Sequence, residues 1–163
     1  VEFTGGQTEI GVAAKIGGIL FLLWAVLHIW VGFEGVYQYI SAGALEQWNM
    51  LLGGVNAPRE TFQHTTDAMT AHAQSQLIVN FCIDVGGYGI LGLFVAWLIW
   101  AQGSWLGYFI GLIVIGIGDL AFTFCMLASG IIEMNAGTIG GPVIWILAIV
   151  ITPFGLPALK RKI

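Results

Sequence analysis

The chain has 163 residues, 58% of them hydrophobic and only 9% charged, with a mean hydropathy of +0.89. A soluble domain carries about 25% charged residues, so this composition excludes one and points to an integral membrane protein of the all-α class, with the lipid bilayer as its first partner. Five basic residues against nine acidic ones leave a net charge of −4 and no surface for nucleic acid.

Four apolar runs of about 20 residues are each long enough to cross a hydrocarbon core of about 30 Å as helices. They cover about 16–39, 77–100, 105–128 and 139–159. Barrel strands would alternate over about ten residues, and no such alternation is present. The expectation is a single membrane domain, residues 1–163, folded as a four-transmembrane-helix bundle with a small helical extracytoplasmic cap in the connection 41–76. Lys15, Lys160, Arg161 and Lys162 flank the start of the first span and the end of the fourth, which assigns both termini to the cytoplasm by the positive-inside rule. Arg59, in the outer connection, is the one dissenter. Residues 1–15 read as a tail or a short surface helix.

The first span carries His28 about halfway along and Glu34 near its outer end. A histidine inside a span serves as an axial ligand, as a step in a proton relay, or as a side chain hydrogen-bonded to a neighbouring helix; the last is the commoner case. Glu34 is expected to snorkel or cap at the interface. In the connection, Leu45, Trp48, Leu51 and Leu52 fall on one helical face, with Glu46, Gln47 and Asn49 elsewhere. That pattern predicts a short interfacial helix over 44–52, stopped by Gly53 and Gly54. Thr65 or Thr66, ahead of Asp67, reads as the N-cap of the next helix.

That next helix carries the row His72, Gln76, Asn80, Asp84 and Tyr88, one residue per turn along a single ridge. Running from 66 to 100 it is about 50 Å long, so its outer turns, with His72 and Gln76, project from the bilayer and join the cap. Asp84 lies well inside the apolar part. A carboxylate there costs roughly 2.5–3.5 kcal/mol on insertion scales and must face protein or a wet cavity, or carry a proton. His64 and His72 stand about 12 Å apart on a continuous helix and do not make a metal site by themselves.

Glycines crowd the middle spans: Gly86, Gly87, Gly89 and Gly92 on the second, and Gly103, Gly107, Gly111, Gly116 and Gly118 on the third. Small residues let helix backbones approach closely in lipid, and Gly107 and Gly111 form a pair four residues apart. Joined through Ala101 to Ser104, the two spans are expected as antiparallel neighbours. Asp84 then lies about 16 residues before Trp100 and Asp119 about 14 after Trp105, at matching depth, with His28 about 12 residues into its own span. His28, Asp84, Asp119 and Asn80 are therefore the candidate intramembrane polar cluster, suited to an ion or proton site or to a hydrogen-bond node. No metal is the favoured expectation; a metal held by His28, Asp84 and Asp119 is the weaker alternative. Cys82 and Cys125 read as buried thiols acting as small apolar groups. Pro142 is placed in the first turn of the last helix, and Pro153 and Pro157 bend its end.

No catalytic motif is present, and no catalytic activity of its own is expected. Seven tryptophans and the glycine-rich spans point first to an accessory subunit that packs against other membrane subunits within a larger complex. The alternative is a small proton- or cation-translocating protein, or one binding a cofactor such as haem, metal, pigment or quinone, built on the His/Asp cluster.

Overall fold

Backbone N–H and C=O groups in lipid must be paired within their own segment, so the apolar runs fold as helices. The computed structural model describes residues 9–63 and 65–158. Residues 1–8, His64 and the basic cluster Lys160, Arg161 and Lys162 lie outside the described residues. Four helices are long and apolar enough to span a membrane: Val12–Ala42, Ala68–Gln102, Trp105–Leu127 and Ala136–Gly155. The chain is thus a multi-pass, all-α membrane bundle. The described ends of the first and fourth spans meet, the Gly11 amide donating to the Gly155 carbonyl at 2.9 Å, so both lie on one side.

The most extensive pairing joins the first and second spans. It is made possible by glycine. A Cβ on Gly32 would stand 2.6 Å from the Cys82 carbonyl oxygen and 2.7 Å from the Gly86 Cα, and one on Gly89 would stand 2.8 Å from the Ala25 carbonyl oxygen. Gly107 and Gly111 likewise face Leu98 and Phe21. Gly89, Gly92, Gly107, Gly111 and Gly116 are therefore used inside the bundle, around a core that includes Phe21, Trp24, Val95, Ile99 and Trp145, whereas a Cβ on Gly87 would meet nothing within 4 Å.

The third span departs from the uniform α-helix expected of it. Wide π turns at Gly111–Ile115 and Thr123–Leu127 bracket the α-helical segment Gly116–Phe122, which holds Asp119. Such turns loosen the regular bond ladder and are frequent at functional positions. The Gly111 carbonyl accepts a bond from the Trp145 indole at 2.9 Å. Only the half of this span nearest the hairpin packs closely on the second span, and beyond Ile115 the two diverge. The antiparallel contact expected from the short link is confined to that half.

Helix starts are also corrected. The second span begins with Asp67 as N-cap, not Thr65 or Thr66, its side chain accepting from the Thr70 amide at 2.7 Å. The fourth begins at Ala136 behind an Asn135–Thr138 capping box, which moves Pro142 from the first turn to the second. Thr70, through its side chain first and its amide second, holds the Asp67 carboxyl below the usual carboxylate range. A lowered folded pKa contributes stability above the unfolded pKa and loses it as pH falls through the folded one. Asp67→Ala should therefore lower amide protection factors in the first turn of this helix while leaving the membrane part protected, and acidification of the wild type should lower the same factors once each rate is divided by the intrinsic rate at that pH.

The short helix Ala44–Leu51 is inserted differently from its sequence pattern. Gln47 is fully buried while Leu45 is 48% exposed. Gly35 lets Cys82 of the second span pack close to the first span, and beside that contact Gln47 Nε2 donates to the Gly35 carbonyl at 2.9 Å. The backbone acceptor at Gly35 outweighs amphipathic order. Arg59 donates to the Met50 and Leu52 carbonyls at 3.1 Å each, supplying donors that a helix C-terminus lacks. Gly53 exchanges backbone bonds with Ile131 and Glu133, which pins this connection to the loop between the third and fourth spans. Cys82 is buried as expected, whereas Cys125 is exposed.

Candidate functional site

Trp24 and His28 lie one turn apart on the first span, their rings stacked with centroids 3.7 Å apart. His28 Nδ1 is 2.8 Å from the Trp24 carbonyl oxygen. A carbonyl only accepts, so Nδ1 carries the proton and a neutral ring presents its lone pair at Nε2. Asp119 arrives from the third span and is 3% exposed. Its Oδ2 accepts the Trp24 indole N–H at 2.8 Å, and its Oδ1 stands 3.8 Å from His28 Nε2. Gly141 of the fourth span closes over the pair; a Cβ there would stand 2.9 Å from His28 Cε1.

The 3.8 Å separation is too long for a direct hydrogen bond. A carboxylate oxygen and an imidazole lone pair facing each other are two acceptors without a donor. A proton on either group, or a donor placed between them, removes that conflict.

The cluster lies on a cavity of about 670 Å³ lined by all four spans and roofed by Met50 and Leu51 of the short helix and Ile132 of the loop. That volume lies within the roughly 300–1,000 Å³ of small-molecule sites. The walls are mainly apolar, with His28, Glu34, Asp84, Tyr88, Asp119 and Thr138 among the lining residues. Glu34, expected at the interface, accepts from Gln38 at 2.6 Å and contributes to this wall.

Of the expected cluster, His28 and Asp119 face each other directly. Asp84 lines the same cavity and is exposed, whereas Asp119 is buried. Asn80 donates to Asp84 Oδ2 at 2.8 Å and is itself outside the cavity wall. In the outer row, Gln76 donates to the Tyr39 hydroxyl at 3.2 Å, and His72 is exposed. Among the described residues no three His, Cys, Asp or Glu side chains come together in a group that could hold a metal ion. Trp24 and Gly141 are the site residues that sequence reading missed; the one-turn spacing of Trp24 and His28 was the available signal. Comparison with known protein families, curated proteins and solved structures finds no match.

Proposed function

We propose that this membrane protein binds a small molecule of mainly apolar body within the bilayer and holds its polar end at Trp24, His28 and Asp119, where a proton can be exchanged. The observation that carries this is the Asp119 carboxyl: it is 3% exposed, with one oxygen fixed by an indole and the other left 3.8 Å from His28 on a cavity wall. A purely structural node would close that gap with a direct bond. Binding and proton exchange require no bond-making catalysis from the chain.

The test is to purify the protein from its native membranes in mild detergent and measure bound small molecules by native mass spectrometry. Gly118 lines the cavity, and a Cβ there meets only Tyr88, at 3.9 Å or beyond. Gly118→Leu should fill the cavity and strip the bound molecule while the fold is kept. If the wild type and Gly118→Leu carry the same small molecules, or neither carries any, the proposal fails.

A second reading, an accessory subunit of a larger membrane complex, draws on Asn80 and Asp84, exposed on one side of the apolar part of the second span, where lipid serves polar side chains poorly. A native mass above the 17.5 kDa of the chain would support it, and a monomer that copurifies with nothing would remove it. We also propose that both termini are cytoplasmic. A cysteine placed at Lys15 should then label only from the cytoplasmic side.

A further inference from the structure

We propose that the ligand is a lipophilic organic cation that comes from the bilayer through the cleft between the second and third spans, with Asp84 and Tyr88 at its mouth and Asp119 at its inner end. This rests on the cavity reading above.

The first argument is charge. Glu34, Asp84 and Asp119 line the cavity, and among the described residues no lysine or arginine does. Each carboxylate is bonded by a neutral donor: Gln38, Asn80 and Trp24 respectively. Neutral donors satisfy an oxygen without cancelling the charge it carries when ionised, and the surrounding apolar medium screens that charge poorly. Arg59 is committed to the Met50 and Leu52 carbonyls. The site therefore favours an occupant that brings positive charge and disfavours an anion.

The second argument is the wall. Trp24, Trp30, Phe81, Tyr88 and Phe122 offer aromatic surface, which attracts a cation through the ring quadrupole and suits a bulky apolar body. A bare inorganic cation needs about six or more converging oxygens, and a wide apolar cavity offers no such cage. Organic cations meet both demands at once.

The third argument is access. The second and third spans diverge beyond Ile115, Asp84 and Tyr88 are exposed, and the Tyr88 ring reaches across the cleft toward Gly118 of the third span. Met50 and Leu51 of the short helix and Ile132 of its pinned loop line the cavity as well. A molecule dissolved in the membrane thus meets Asp84 first and Asp119 last.

The experiment uses the full chain in phosphatidylcholine nanodiscs, with tetraphenylphosphonium as the cationic probe and triphenylphosphine oxide as the neutral one, binding read by tryptophan fluorescence and calorimetry. Tetraphenylphosphonium should bind saturably, and Asp84→Asn or Asp119→Asn should each weaken it by roughly tenfold or more. Asp84 is exposed, so its variant keeps the test valid if Asp119→Asn fails to fold. Gly118→Leu should abolish binding of the cation. Equal affinity for the neutral probe, or an undiminished affinity in Asp84→Asn, would overturn the cation assignment while leaving the cavity reading in place. Absence of saturable binding by either probe, in a protein that still releases a bound molecule on Gly118→Leu substitution, would likewise overturn the assignment alone; absence of both would overturn the two together.

Discussion

Trp24→Ala should be the most damaging single substitution at the site. Trp24 is 2% exposed and belongs to the buried core, and truncating such a ring costs about 3–5 kcal/mol through the space it leaves. The loss does not end there. Its indole is the donor to Asp119 Oδ2, and a buried acceptor deprived of its donor costs about 1–3 kcal/mol more. Its ring is also the plate on which His28 stacks. Trp24→Phe keeps most of the ring and removes the donor, so it should retain the fold and show only the smaller loss. Reversible unfolding in mixed detergent micelles, compared across the wild type and both variants, separates the two effects. If Trp24→Phe were as damaging as Trp24→Ala, packing would not be the dominant contribution.

The second large effect is expected at the crossing of the first two spans. A Cβ on Gly32 meets the Cys82 carbonyl oxygen at 2.6 Å and the Gly86 nitrogen and Cα at 2.7 Å. These are backbone atoms that cannot turn aside, so Gly32→Ala must push two membrane helices apart. Overpacking of this kind costs about 1–3 kcal/mol or more, and the displaced first span carries Trp24 and His28 with it. Gly87 and Gly140 give the contrast, because a Cβ at either meets nothing within 4 Å. Alanine there should be neutral or stabilising, since it is better than glycine in a helix by about 1 kcal/mol. Equal losses at Gly32 and Gly87 would mean that glycine matters here for chain flexibility and not for close approach.

Much of the fold is legible in the residues because the bilayer imposes one dominant rule. Runs of apolar residues long enough to span must be helices, and the four runs are the four spans. What escaped is local and depends on partners far away in the chain. The π turns around Asp119 have no sequence pattern that helical periodicity can detect. The burial of Gln47 goes with its bond to the Gly35 carbonyl, twelve residues upstream, and an amphipathic reading of the short helix alone puts that side chain on the wrong face. The glycine pair Gly107 and Gly111 announces close packing without saying against what. At the site, the depth argument placed His28, Asp84 and Asp119 near one another, and all three line one cavity. It could not show that Asp119 is bonded by Trp24, because depth carries no information about angle around the helix.

The central claim is that His28 and Asp119 act as one unit across their 3.8 Å gap. The most direct measurement is the nitrogen-15 spectrum of histidine-labelled protein in lipid nanodiscs, with the His28 signals identified by their loss in His28→Gln. Nδ1 should appear as the nitrogen bonded to the Trp24 carbonyl, and the Nε2 signal should move in Asp119→Asn but stay in place in Asp84→Asn. A His28 with its proton on Nε2 alone, or an Nε2 signal indifferent to Asp119→Asn, would contradict the claim.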